Sequence, residues 1–167
     1  GRGNLSFTSI NLPRLGLKAD GDLDKFFVDL DDVISLVIRQ LTHRFKYIAQ
    51  KRVYNFPFLM GQGIWLDSDK LKVTDTVEEV MKHGTMSVGF IGLAECLVAL
   101  VGKHHGESAE ALDLGLRIVG RIRKRCDEES ARTGLNYTCL GTPAEGLSGR
   151  FVKADKELFG IIPGVTD

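Results

Sequence analysis

Cysteine is scarce in this chain, with Cys96, Cys126 and Cys139 the only three among 167 residues. An odd number at wide spacing excludes a disulfide framework and points to free thiols in a reducing, cytoplasmic compartment. Charge of one sign is also missing, because Lys and Arg total 22 and Asp and Glu total 22. Without a net field, general nucleic-acid binding loses its electrostatic footprint, whereas a small charged ligand stays compatible. Long apolar runs are absent too: residues 90–101 form the longest, interrupted by Glu95 and well short of the ~20 residues that span a bilayer. No apolar signal segment opens the chain, and both ends read as cuts through a longer protein.

What is present suits one globular domain over residues 1–167, with 43% hydrophobic and 26% charged residues. Residues 5–12 are β-branched and apolar and predict a strand that stops in a turn at Pro13. Asn4, Ser6 and Thr8 fall on one face of it by the two-residue period, either lining a cavity or facing solvent. After the turn Asp20-Gly21-Asp22, apolar residues from Leu23 to Phe45 recur every three or four positions, the pattern of a long amphipathic helix. Residues 53–60 predict an irregular strand before the turn Gly61-Gln62-Gly63. Thr76, with Glu79 three residues on, matches a capping box for a short helix ending at His83-Gly84. A strand over 87–93 leads into a helix over 94–101. A second long helix over 108–132, with Leu112, Leu116, Val119, Ile122 and Cys126 on one apolar stripe, ends at Gly134. Residues 135–140 form a further strand before another short helix. Strands alternating with helices predict an α/β fold with parallel pairing.

The strongest local signal for chemistry is residues 140–150. There a strand ends in small residues and a helix opens with Pro143 near its first turn, so free N–H groups would form an anion site. The Thr142 hydroxyl and the Arg150 guanidinium both suit phosphate oxygens. An ordinary capped turn is the alternative, since no complete P-loop word is present. His83, His104, His105 and Glu107 are metal-ligand types and would serve a metal hydrolase, but no ordered ligand spacing links them and no metal site is assigned. Cys96 and Cys126 suit a core, and Cys139, before the glycine turn, is best placed to face a pocket.

Longer words carry a resemblance from end to end. These are Gly-Arg-Gly-Asn at 1–4, Asn-Leu-Pro-Arg at 11–14, Met-Gly-Gln-Gly at 60–63 and His-Gly-Thr-Met-Ser-Val-Gly-Phe-Ile-Gly-Leu-Ala-Glu at 83–95. They continue with Gly-Lys-His-His-Gly-Glu-Ser at 102–108, Thr-Pro-Ala-Glu-Gly-Leu-Ser-Gly-Arg-Phe at 142–151 and Pro-Gly-Val-Thr-Asp at 163–167. The chain resembles an internal piece of the catalytic subunit of anaerobic, class III ribonucleoside-triphosphate reductases.

That resemblance implies part of a ten-stranded α/β barrel of the glycyl-radical type, homodimeric in the full-length protein. It implies reduction of ribonucleoside triphosphates through a glycyl radical raised by a separate S-adenosylmethionine-dependent iron–sulfur activase. Asn4 would be the active-site asparagine that holds the ribose hydroxyls. Thr142, Ala144, Glu145, Gly146 and Leu147 would offer their amide region to the substrate phosphates, and Arg150 is an added candidate for phosphate contact. The thiyl cysteine, the structural zinc site and the glycyl-radical segment would lie outside residues 1–167, so the piece alone is expected to bind no cofactor and not to turn over. A non-catalytic phosphate- or nucleotide-binding α/β module is the alternative. Unpaired strand edges predict association of the isolated piece.

Overall fold

The apolar periodicities settle into three parallel strands and six helices. A computed structural model describes residues 1–167. In chain order the elements are β1 (Asn4–Asn11), α1 (Leu12–Ala19), α2 (Leu23–Ala49), α3 (Glu78–Met81), β2 (Thr85–Ile91), α4 (Leu93–Val101), α5 (Ala109–Thr133), β3 (Asn136–Gly141) and α6 (Glu145–Phe159). The sheet order is β1-β2-β3, and both pairs are parallel. Helical crossovers make that pairing possible, as the alternating pattern predicts. No helix is long and apolar enough to cross a membrane.

One face of the sheet is apolar. Ile10, Met86, Val88 and Tyr137 bury there with Phe26, Leu30, Ile34 and Leu41 of α2 and Leu114, Ile118 and Ile122 of α5. Asp22 caps α2 by accepting a hydrogen bond from Lys25 N at 3.0 Å, and Ser108 caps α5 by accepting one from Ala111 N at 3.1 Å. Gly134 ends α5 in the left-handed conformation, φ 71°, that glycine adopts without strain. A smaller apolar cluster of Val53, Met60, Trp65, Val77, Val80 and Met81 has Leu5 packed against it.

Several local expectations change. The chain does not turn away at Pro13. Asn11 caps a new helix, α1, and Pro13 sits in its first turn, where the missing N–H costs no hydrogen bond. Residues 53–60 are not a strand: Val53–Asn55 is a 3-10 turn, and the segment folds onto the smaller core through Val53 and Met60. Thr76 does not cap α3, whose N-cap is Val77 without a side-chain hydrogen bond. On α5, Leu112 and Leu116 are exposed, and the buried stripe is Ala111, Leu114, Ile118, Ile122 and Cys126. The helix after β3 is not short but runs for fifteen residues, with Pro143 just ahead of it.

The register of β1 also departs from a plain two-residue alternation. An irregularity between Asn4 and Ser6 lets Asn4 pair with Thr85 and Ser6 with Met86. One extra residue reverses every later side chain relative to Asn4. Asn4 therefore shares its face with Phe7, Ser9 and Asn11, while Ser6 and Thr8 lie on the helix side. There Arg44 of α2 donates from Nη1 to Ser6 Oγ (2.9 Å), Phe7 O (3.1 Å) and Thr8 Oγ1 (3.1 Å). Cys139 is likewise on the helix side, half-buried against the main core rather than facing a pocket.

Candidate functional site

The face of the sheet opposite α2 and α5 carries mostly small and polar residues, with Phe7 and Leu140 among them. The register brings Asn4, Thr85 and Asn136 to one level, Phe7, Ser87 and Thr138 to the next, and Ser9, Gly89 and Leu140 to a third. Asn4 Nδ2 donates to Ser87 Oγ at 3.0 Å, and Ser87 Oγ lies 3.0 Å from Thr138 Oγ1. Asn4 Oδ1 accepts from Ser6 N at 3.1 Å. A polar row thus crosses all three strands, with Ser87 buried and Asn4 exposed at its end. Asn4 also borders an open cleft with Arg2, Gly3, Thr138 and Asn136.

At the carboxyl ends of the strands, the usual ligand-binding edge of a parallel sheet, β3 passes into α6. Thr142 N donates to Phe90 O at 3.1 Å, and Thr142 Oγ1 lies 2.8 Å from Ser9 Oγ. Gly89 makes this approach possible, because a Cβ there would stand 2.2 Å from Thr142 Oγ1 and 2.9 Å from Ser9 Oγ. The N-cap of α6 is Ala144, which makes no side-chain hydrogen bond. Alanine is among the poorest N-caps, so the first-turn amides of Glu145, Gly146 and Leu147 have no capping side chain and keep the partial positive charge of a helix start. Such an end can bind an anion. The Glu145 carboxylate in that same turn opposes it.

The structure gathers Thr142, Ala144, Glu145, Gly146 and Leu147 into that turn. Asn4 stands at the far end of β1: its partner Thr85 is four residues from Gly89, the partner of Ser9, roughly 13 Å at strand rise. Arg150 is exposed on the second turn of α6 and forms no ion pair or hydrogen bond. Sequence reasoning misses Ser9, Ser87 and Thr138, and it gives Gly89, within the shared word at 83–95, no role. The alternation of small residues in Ser87-Val88-Gly89 is the sequence signal for the two positions on β2.

The metal-hydrolase alternative fails on geometry. His83 Nε2 pairs with Asp67 Oδ2 at 2.8 Å, whereas His104 and Glu107 close their own loop, Glu107 Oε2 accepting from His104 N at 2.8 Å. No three His, Cys, Asp or Glu side chains converge as metal ligands. The thiols are core groups as well: burial pushes Cys96 and Cys126 up to about 12, and Cys139 is raised by the same cause.

Comparison with known proteins adds family to this geometry. The sequence profile described as anaerobic ribonucleoside-triphosphate reductase matches residues 1–167. The anaerobic ribonucleoside-triphosphate reductase of Salmonella typhimurium is 36% identical over 170 residues, covering 100% of this chain and 24% of that protein. The protein of the same name from Enterobacteria phage T4 is 30% identical over 173 residues, covering 100% of this chain and 27% of its own. The chain therefore spans about a quarter of the length of these curated relatives. A crystal structure of the anaerobic ribonucleotide reductase from Thermotoga maritima with citrate in the active site superposes with a TM-score of 0.72 at 17% identity, covering 95% of this chain and 27% of that one. The structure of the Thermotoga maritima enzyme in complex with dATP and CTP gives 0.72 at 18% identity, covering 95% and 25%. Their fold is the fold seen here. With its profile matched from the first residue to the last, the chain belongs to the anaerobic ribonucleoside-triphosphate reductase family.

Proposed function

We propose that this chain forms substrate-pocket walls in the catalytic subunit of a cytoplasmic, homodimeric anaerobic ribonucleoside-triphosphate reductase. The three parallel strands would be consecutive members of a ten-stranded α/β barrel whose interior is the hydroxyl-lined face. The observation that carries the reading is the uncapped start of α6, pinned beside Ser9 at the carboxyl edge of the sheet, in a chain whose relatives along its whole length are ribonucleoside-triphosphate reductases.

In this reading the amides of Glu145, Gly146 and Leu147 bind substrate phosphate oxygens, and Thr142 sets their position through Ser9. Asn4, oriented by Ser87, holds the ribose hydroxyls with its amide group. Thr138 extends the polar row beneath the sugar. A glycyl radical raised by an S-adenosylmethionine-dependent iron–sulfur activase would supply hydrogen-atom abstraction from the substrate. The thiols here do not fit a radical-bearing or zinc-binding role, since two are buried with raised pKa and the third lies on the core face. Those functions are assigned to other parts of the subunit.

The test uses the activated catalytic subunit carrying this chain. Thr142→Val is expected to raise the Kd for a ribonucleoside triphosphate about tenfold, and Asn4→Ala to abolish deoxynucleotide formation while nucleotide still binds. Unchanged affinity in the first variant together with undiminished turnover in the second would overturn the proposal. Nucleotide binding without deoxynucleotide formation by the activated wild-type subunit would leave a binding module instead. Arg150→Ala with unaltered affinity removes Arg150 from the site.

A further inference from the structure

α6 is attached to the rest of the molecule in an unusual way. Of its fifteen residues only Asp155 is buried, at 2% exposure, and every apolar side chain of the helix is at least partly open to solvent. Beneath its Ser148, Phe151 and Val152 lies a cleft of ≈ 290 Å³ rather than a core. A helix without a buried apolar stripe must be held by something else. Here the holding groups are polar and sit at two levels. At the N-terminal level Thr142 binds Ser9 and the Phe90 carbonyl. Ten residues beyond Glu145, the first residue of α6, and about 15 Å along the axis from it, both carboxylate oxygens of Asp155 are used. Oδ2 accepts from Asn11 Nδ2 at 2.8 Å, and Oδ1 accepts from Arg14 Nε at 2.5 Å. Asn11 is itself fixed, since its Oδ1 accepts from Arg14 N at 3.3 Å as the cap of α1.

We propose that Asp155 is a positioning residue for the nucleotide loop: with Asn11 and Arg14 it clamps α6 so that the first-turn amides keep one direction relative to β1. The inference rests on the reading of residues 142–147 as the phosphate-binding turn. A helix pinned only at Thr142 can pivot, and its amide donors, which lie along the axis, turn with it. Hydrogen bonds weaken steeply as they bend, so the phosphate end of the substrate feels the tilt. Both pins land on β1, at Ser9 and Asn11, the strand that carries Asn4. One strand therefore references the two ends of the substrate.

The chemistry of the clamp prescribes its own rescue. In Asp155→Asn the new amide can accept from Arg14, but it then presents NH2 to the NH2 of Asn11, whose oxygen is committed to the α1 cap. One contact is lost whichever way the amide turns. Exchanging the pair, Asn11→Asp with Asp155→Asn, restores all three hydrogen bonds and keeps one carboxylate beside Arg14. The experiment compares wild type, Asp155→Asn and the exchanged double variant in the complete catalytic subunit. The readouts are kcat, KM and nucleotide Kd, and amide hydrogen exchange of residues 144–148 without nucleotide.

The expected result is a Kd and KM raised about tenfold with kcat held within about twofold in Asp155→Asn, and faster exchange at 144–148. Both effects should return to near wild type in the exchanged variant. A folded Asp155→Asn subunit with unchanged Kd, in a protein where Thr142→Val does weaken nucleotide, would overturn the clamp. Failure of the exchanged variant to restore affinity despite a wild-type melting profile would overturn it as well. If Thr142→Val also leaves the Kd untouched, the nucleotide reading of the loop is what fails.

Discussion

Gly89→Ala places a single methyl group at the junction of the sheet and the α6 loop. The new Cβ would sit 2.2 Å from Thr142 Oγ1, 2.9 Å from Ser9 Oγ and 3.3 Å from the Thr8 carbonyl. Ordinary contact requires Thr142 to retreat by about 1 Å, which breaks its hydrogen bond to Ser9. Overpacking of this kind costs about 1–3 kcal/mol, and the lost hydrogen bond about 1 kcal/mol. Replacing glycine lowers the entropy of the unfolded chain and returns about 0.5 kcal/mol. The net expectation is a destabilisation of about 1.5–3.5 kcal/mol, read as a lower urea midpoint with an unchanged slope. Nucleotide affinity should fall in the same variant, because the displaced residue opens the phosphate-binding turn. A Thr142→Ala background removes the clashing hydroxyl, so Gly89→Ala should cost less there, and the shortfall measures the coupling. Equal costs in the two backgrounds would refute the packing argument, and a Gly89→Ala subunit as stable as wild type would refute its magnitude.

Three further outcomes follow from the same contacts. The hydrogen bonds from Arg121, aided by Arg125, hold the Asp31 carboxyl below its ordinary value. Its contribution to stability is therefore complete above about pH 5, where the unfolded carboxyl is also ionised, and is lost as pH falls through about 4 toward the lowered folded value. Asp31→Asn should flatten that part of the stability–pH curve and cost about 1 kcal/mol at neutral pH, since the pair is partly solvent-exposed. Phe26→Ala, at a fully buried position in the main core, should cost about 3–5 kcal/mol by urea denaturation. Cys96 and Cys126, with thiols pushed up to about 12 by burial, should react with a thiol reagent at pH 8 only as fast as the protein opens. Immediate modification of either in the native state would contradict their burial.

The legible part of this molecule was the part governed by local periodicity and end chemistry. The apolar spacing from Leu23 to Phe45 places α2, and Ser108 and Gly134 bracket α5, because caps and stripes act within a few residues of themselves. The strand-to-helix turn at 140–150 was legible for the same reason. α1 was not, since Pro13 reads equally well as a stop and as a helix first turn. The choice falls to Asn11, whose side chain caps the backbone, and to Leu12 and Leu15, which need a core to bury in. Leu112 and Leu116 show the reverse error: their spacing fits a stripe, but the sheet lies on the other side of α5.

By itself the sequence determined the parallel α/β class, the two long helices, the strand-to-helix turn before α6 and, through its long shared words, the family; that the turn carries no side-chain cap is a finding of the structure. Tertiary structure alone decided the β1 irregularity that joins Asn4 to Ser87, the Ser9–Thr142 contact over Gly89, and the hold of Asn11 and Arg14 on Asp155. Each joins residues 83 to 144 positions apart. No local propensity encodes such pairings. They form only where strand register and helix placement, set by burial of the common core, bring complementary donors and acceptors within hydrogen-bonding reach.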